Sequence, residues 1–120
     1  MSLAAFHNNY RFPVVVTRFA NFFGPGQQLY RIVPRAILCA LVGKKLPLHG
    51  GGASVRAFIH ARDVASGLLG VIRKGIPGEV YHFCPDRYYS IREVVEIICR
   101  KLGVEFAKAV EVTADRPGKD

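Results

Sequence analysis

Apolar positions along the chain change period several times, and the changes mark out its elements. Residues 3–11, "LAAFHNNYR", keep a helical spacing that Pro13 interrupts. The next run, "PVVVTRFANFF", is β-branched and aromatic and apolar on both faces, which predicts a strand buried in a parallel sheet. "GPGQQ" is a loop by composition. From Leu29 to Val42, the residues Val33, Ile37 and Leu41 recur at i, i+4 and i+8, predicting a helix with that stripe inward and Gly43 just past its end. "LPLHG" and "SVRAFIH" are short extended pieces on either side of three consecutive glycines, Gly50 to Gly52. Val64, Leu68 and Ile72 restore the helical period until "RKGIPGE" breaks it, and "EVYHF" reads as another strand. Ser90 opens the clearest helix: Ser90 and Glu93 have capping-box spacing, in which hydroxyl and carboxylate satisfy backbone N–H groups of the first turn. Ile91, Val94, Val95, Ile98 and Leu102 share its apolar face, Gly103 stops it, "VEFAKAVEV" predicts a last strand, and "TADRPGKD" reads as a charged tail.

This order predicts an α/β chain with an α+β second half. Residues 1–25 supply one helix and one strand of a parallel sheet, and residues 26–120 a smaller lobe. A length of 120 residues sets one small domain as the ceiling. No apolar run approaches the roughly 20 residues that span a bilayer, and the N-terminus lacks a basic head followed by an apolar stretch, so the expectation is a soluble protein. Three cysteines, Cys39, Cys84 and Cys99, are odd in number, far apart and set among apolar neighbours. They read as core fillers in a reducing cytoplasm, not as disulfides or a thiolate metal site.

Charge changes the picture more. Lys and Arg number 17 against 9 Asp and Glu, a formal net charge of +8, which points to an anionic partner. The positive residues are scattered singly, whereas nucleic-acid binders concentrate them on one stripe. That favours a phosphate-bearing small molecule over the alternative of a basic nucleic-acid-binding module.

The candidate chemistry is sparse. A phosphate loop opens directly into a helix, whereas Gly50–Gly52 is followed by the β-prone "ASVRAFIH", so these glycines read as a turn. Arg56, projecting from a strand beside that turn, could fork onto a phosphate or simply face solvent. Asp63 reads as an N-terminal helix residue placed to suit the dipole. His7, His49, His60 and His82 have no metal-ligand spacing, and the residues alone offer no nucleophile and no acid/base pair.

Together, "R-x-x-N-x-F/Y-G-P" from Arg18, "L-P-x-x-G-x-G-x-x-x-R-x-F" from Leu46 and "D-R-P-G-x-D" from Asp115 resemble the C-terminal part of extended short-chain dehydrogenase/reductases that act on nucleotide sugars. The resemblance is to the NAD-dependent epimerase/dehydratase family, nearest its 4,6-dehydratase branch, and runs nearly the whole length. It implies a fragment of a Rossmann-type fold: residues 1–25 as a remnant of the NAD-binding domain and residues 26–120 as the nucleotide-sugar lobe. The Gly-rich fingerprint, the Tyr-x-x-x-Lys pair and the acid/base residues would belong to a missing N-terminal domain, leaving this part inert alone. By the same resemblance Asn21 contacts the sugar nucleotide and Phe22 lies near the nicotinamide of NAD. Arg31 is a basic residue on the helix facing the nucleotide. Pro47, Leu48 and His49 line the base, with His49 replacing a stacking aromatic, and Arg56 and Arg116 grip the diphosphate. His82 stands where the family has Asn, and Ala57 where dehydratases often have Asp, while "R-A-F" also occurs in a UDP-sugar decarboxylase branch. A decarboxylase or epimerase parent therefore stays open. A strand and apolar helix surface cut from a larger sheet also imply self-association into a homo-oligomer.

Overall fold

The apolar run over residues 13–23 makes two strands, not the one its composition predicts. In the computed structural model, which describes residues 2–115, the elements in chain order are helix α1 (Leu3–Tyr10), strands β1 (Val16–Phe19) and β2 (Asn21–Phe23), helix α2 (Ile32–Leu41), strand β3 (Leu46–His49), a 3-10 turn (Gly50–Gly52), strand β4 (Val55–His60), helix α3 (Ala61–Lys74), strands β5 (Val80–Phe83) and β6 (Tyr88–Ser90), helices α4 (Ile91–Leu102) and α5 (Phe106–Ala109), and strand β7 (Val110–Thr113). The chain is α/β with parallel strand pairs, as expected. Its contacts form two compact units: the residues up to Gly24 group with Phe58–Asp86, and Pro25–Ala57 groups with the residues from Arg87.

In the first unit β1 lies parallel to β5 with Val16 opposite Val80 and Phe19 opposite Phe83. Ala20 donates its N–H to the Phe83 carbonyl, after which the chain changes partner and β2 pairs in parallel with Phe58–His60 of β4. That change splits the predicted strand. Burial on both faces is not realised: Phe19 and Val80 stay about half exposed, since β1 has a single neighbouring strand among the described residues. The start of α3 is capped by His60, whose Nδ1 accepts the Arg62 N–H at 3.1 Å, while Asp63 lies in the first turn where its charge suits the helix dipole. Helix α3 buries Val64 and brings Gly67 against the Phe83 ring, where a Cβ would meet the ring at 3.0 Å. Ile72, expected on the inner stripe, is 79% exposed because that approach turns it outward. Burial alternates along β5, so Cys84, one residue past its end, is exposed instead of filling a core.

The core of the second unit is Ala36, Leu46, Leu48, Val95, Cys99, Ala109 and Val110. Strand β3 lies parallel to β7, with Leu46 opposite Val110 and His49 opposite Thr113. Leu46 and Leu48 point inward at 2% exposure each, and the two-residue period puts Pro47 and His49 on the other face. Helices α2 and α4 pack on each other. Helix α2 turns Ile32, Ala36 and Cys39 to the core, not the predicted stripe, and leaves Leu41 67% exposed. Small Ala36 admits a close neighbouring helix where Ile37 would not, which selects the face about 100° away. The predicted last strand is half realised: the N–H groups of Lys108 and Ala109 both donate to the Glu105 carbonyl, closing one helical turn before β7 begins.

The capping box of α4 is complete. The Glu93 N–H donates to Ser90 Oγ at 3.1 Å, and Glu93 Oε2 accepts from the Ser90 N–H at 2.7 Å and its hydroxyl at 2.9 Å. These bonds to Ser90, backbone first, hold the Glu93 carboxyl below its ordinary value. Burial, with the Glu96 charge nearby, pushes the Cys99 thiol up.

Two outcomes are expected. Ser90→Ala should cost about 1 kcal/mol in urea unfolding. Because the folded value of Glu93 is lowered, its contribution is complete above the unfolded value and is lost as pH falls through the folded one. The stability gap between wild type and Glu93→Ala should therefore narrow as pH falls through the acid range below the ordinary glutamate value; a gap unchanged in acid would contradict the box. In the glycine turn, Gly51 and Gly52 have φ of +65° and +75°, but only at Gly52 would a Cβ collide, 2.9 Å from both the Arg92 backbone nitrogen and Leu48 Cδ1. Gly51→Ala should cost roughly 1 kcal/mol for backbone conformation alone, and Gly52→Ala at least twice that, by the same measurement.

Candidate functional site

The glycine turn does not form a phosphate loop. It follows β3 through His49 and leads into β4, so no helix N-terminus stands behind it. Its Gly50 instead lies against a carboxylate, with a Cβ placed there falling 3.0 Å from Asp115 Cγ. An acidic side chain occupies the ground a phosphate loop would offer to an anion.

Beside the turn is a cleft of about 300 Å³, at the lower end of the range of roughly 300–1,000 Å³ typical of small-molecule sites. Pro47, Leu48 and His49 line it. Ile32 and Ile91, from the first turns of α2 and α4, add apolar wall, and Ser54, Gly52 and Asp115 add polar and backbone surface. Leu48 serves chiefly as core, since it is 2% exposed, whereas Pro47 and His49 share the opposite, half-buried side of the strand. His49 is held from behind: its Nδ1 lies 2.8 Å from Thr113 Oγ1 and 3.4 Å from the Ala114 carbonyl oxygen.

The remaining sequence-derived residues stand elsewhere. Arg31 is the N-cap residue of α2, immediately before cleft residue Ile32, and its guanidinium lies 5.5 Å from the Tyr30 ring centroid. Arg56 is half-buried on β4 opposite Tyr89 and does not line the cleft; its Nη1 donates to the Val55 carbonyl at 3.0 Å, leaving other guanidinium N–H groups for an anion. In the other unit Asn21 and Phe22 begin β2, just past the carboxyl end of β1, and Phe22 is 50% exposed with its ring edge-on to Phe19. His82 is exposed on β5 directly opposite Arg18. Arg116 lies outside the described residues.

Sequence reasoning missed Ile32, Ser54, Ile91 and Asp115 as cleft residues and Thr113 as the partner of His49. The capping box placed Ile91 at a helix start, but only the β3–β7 pairing shows that this start and Thr113 belong beside Pro47 and His49. Among the described residues, no three His, Cys, Asp or Glu side chains group to hold a metal, and no helix is long and apolar enough to cross a membrane.

Known proteins resemble this chain in sequence and fold. The chain is 34% identical to the dTDP-glucose 4,6-dehydratase of Escherichia coli over 97% of its own length, and spans 35% of that enzyme. It is also 34% identical, over its full length, to the Arabidopsis thaliana trifunctional UDP-glucose 4,6-dehydratase, 3,5-epimerase and reductase, of which it spans 18%. The dTDP-glucose 4,6-dehydratase of Streptomyces venezuelae, solved with NAD bound, superimposes with a TM-score of 0.89 at 35% identity, over 98% of this chain and 36% of that one. Residues 1–84 match the family described as NAD dependent epimerase/dehydratase. The sequence resemblance is thus upheld, and the chain belongs to the NAD dependent epimerase/dehydratase family.

Proposed function

We propose that this chain is the nucleotide-sugar-binding region of an NAD-dependent 4,6-dehydratase. In this reading it holds the nucleoside diphosphate and contributes little to the redox step. The observation that carries the reading is the cleft bounded by Pro47 and His49, in a chain that aligns almost end to end with dTDP-glucose 4,6-dehydratase. A half-apolar cleft with few polar groups suits a nucleoside, and Arg56 suits the diphosphate through charge-assisted hydrogen bonds. Arg116 is assigned a second grip on that diphosphate. Two arginines distant in sequence can neutralise one diphosphate, which explains why the basic residues need not cluster.

Asn21 and Phe22 stand where ligands of parallel α/β sheets gather, beyond the carboxyl end of a strand. Asn21 can hydrogen-bond the sugar, and the exposed Phe22 ring offers an apolar face to a nicotinamide. The residues present fit only that end of NAD, for the glycine turn leads into a strand and cannot cradle a dinucleotide diphosphate. When bound, NAD supplies oxidation at the sugar C4 and hydride return to C6 after water is lost across C5 and C6. Without a Tyr-x-x-x-Lys pair or a Gly-x-Gly-x-x-Gly turn in the sequence, the chain alone is expected to be inert. Residues 1–25 are read as belonging to the NAD-binding domain and residues 26–120 as the sugar-nucleotide lobe.

Calorimetry with dTDP and UDP should detect binding that Arg56→Ala weakens roughly 10- to 100-fold, the worth of one charge-assisted hydrogen bond, with thymidine unaffected. Equal diphosphate affinity in wild type and variant would remove Arg56 from the site, and turnover of dTDP-glucose by the purified chain with NAD would overturn its inertness. The apolar side chains left outward on α2 and α3, Leu41 and Ile72 among them, further imply self-association. Sedimentation should show a mass that rises with concentration, and a concentration-independent monomer would exclude it.

A further inference from the structure

We propose that Thr113 holds the His49 ring against the Ala114 carbonyl, which keeps the proton on Nδ1, and so makes this imidazole a hydrogen-bond acceptor toward the bound base, selecting uracil or thymine over cytosine. The inference rests on reading the cleft as the nucleotide site. It begins from two oxygens converging on one ring nitrogen: Thr113 Oγ1 at 2.8 Å and the Ala114 carbonyl at 3.4 Å from His49 Nδ1. A carbonyl oxygen only accepts, and a threonine hydroxyl can accept as well. Both contacts are therefore favourable at once only with the proton on Nδ1; a bare Nδ1 would set its lone pair against the carbonyl.

The neutral ring then carries its lone pair on Nε2, which has no hydrogen-bond partner among the described residues. His49 lines the cleft beside Pro47, so the acceptor belongs to a ligand-facing side chain. Uracil and thymine carry a ring imide N–H that can donate to it. Cytosine carries a bare ring nitrogen at that position and would meet lone pair with lone pair.

The backbone makes the arrangement durable. His49 and Thr113 are directly opposed in the parallel β3–β7 register, so their Cβ atoms share one face of the sheet. The Ala114 carbonyl comes from the residue that follows, and Asp115 next to it lies against Gly50. Thr113 is thus a positioning residue, acting through His49 without touching the base.

The test combines affinity with a spectroscopic signature. In nitrogen-15 NMR of the purified protein, the neutral His49 ring should show a protonated Nδ1 and a bare Nε2. Calorimetry should show UDP bound about tenfold more tightly than CDP, the worth of one hydrogen bond. Thr113→Val, a near isostere, should release the ring from the Ala114 carbonyl, give a mixture of tautomers and bring the UDP-to-CDP ratio toward one. Thr113→Ser should restore both, and inorganic pyrophosphate should bind wild type and both variants alike. A wild-type ring protonated at Nε2, or a ratio untouched by Thr113→Val, would overturn the proposal. Should neither nucleotide bind a wild type that shows the Nδ1 proton, the nucleotide reading fails and base selection falls with it, while the Thr113–His49 lock is upheld.

Discussion

Parallel pairing of β3 with β7 is the constraint on which the second unit depends. It brings Leu46 beside Val110 and Leu48 beside Val112, two segments more than sixty positions apart, and turns Leu46 and Leu48 into the core formed with α2 and α4. The same register decides what the other face offers, for a strand that buries Leu48 must present Pro47 and His49 outward. Slipping the register by one residue would exchange the two faces, placing an imidazole in the core and a leucine in the cleft. The site and the core are two sides of one strand, and neither could be altered in register without the other.

The glycine turn works within that constraint. The chain must leave β3 at His49 and enter β4 at Val55, while Gly52 passes within contact of the Arg92 backbone and Leu48. A side chain at Gly52 would push α4 from the end of β3, so that glycine serves close approach. Asp115 resting on Gly50 completes the corner. The chain therefore brings a carboxylate to the most phosphate-like stretch of its sequence.

Local chemistry was legible in the sequence and long-range choice was not. Ser90 and Glu93 announced a capping box three residues apart, and Gly103 its end, because both signals act within one turn. The family resemblance was likewise legible, since its motifs are short and fixed in spacing. The inward face of α2 was not: Ile37 and Leu41 are more apolar than Ala36, yet close packing of two helices favoured the small residue. Reading residues 13–23 as one strand failed for a related reason, because the break at Ala20 records a change of partner. His49 could be singled out by resemblance, but Thr113 could not, for nothing near either residue signals that the two strands pair.

That pairing also governs the order in which the chain can organise itself. His49 and Thr113 lie 64 positions apart, and between them runs the whole of Phe58–Asp86, which contributes to the other unit. Bringing β3 and β7 together closes a long loop before any core contact rewards the closure, a step that chain entropy makes slow compared with formation of α4 or its cap. Until it occurs, Leu46 and Leu48 have no strand beside them and the cleft has no back wall. Formation of the cleft and completion of the core therefore depend on the same long-range closure.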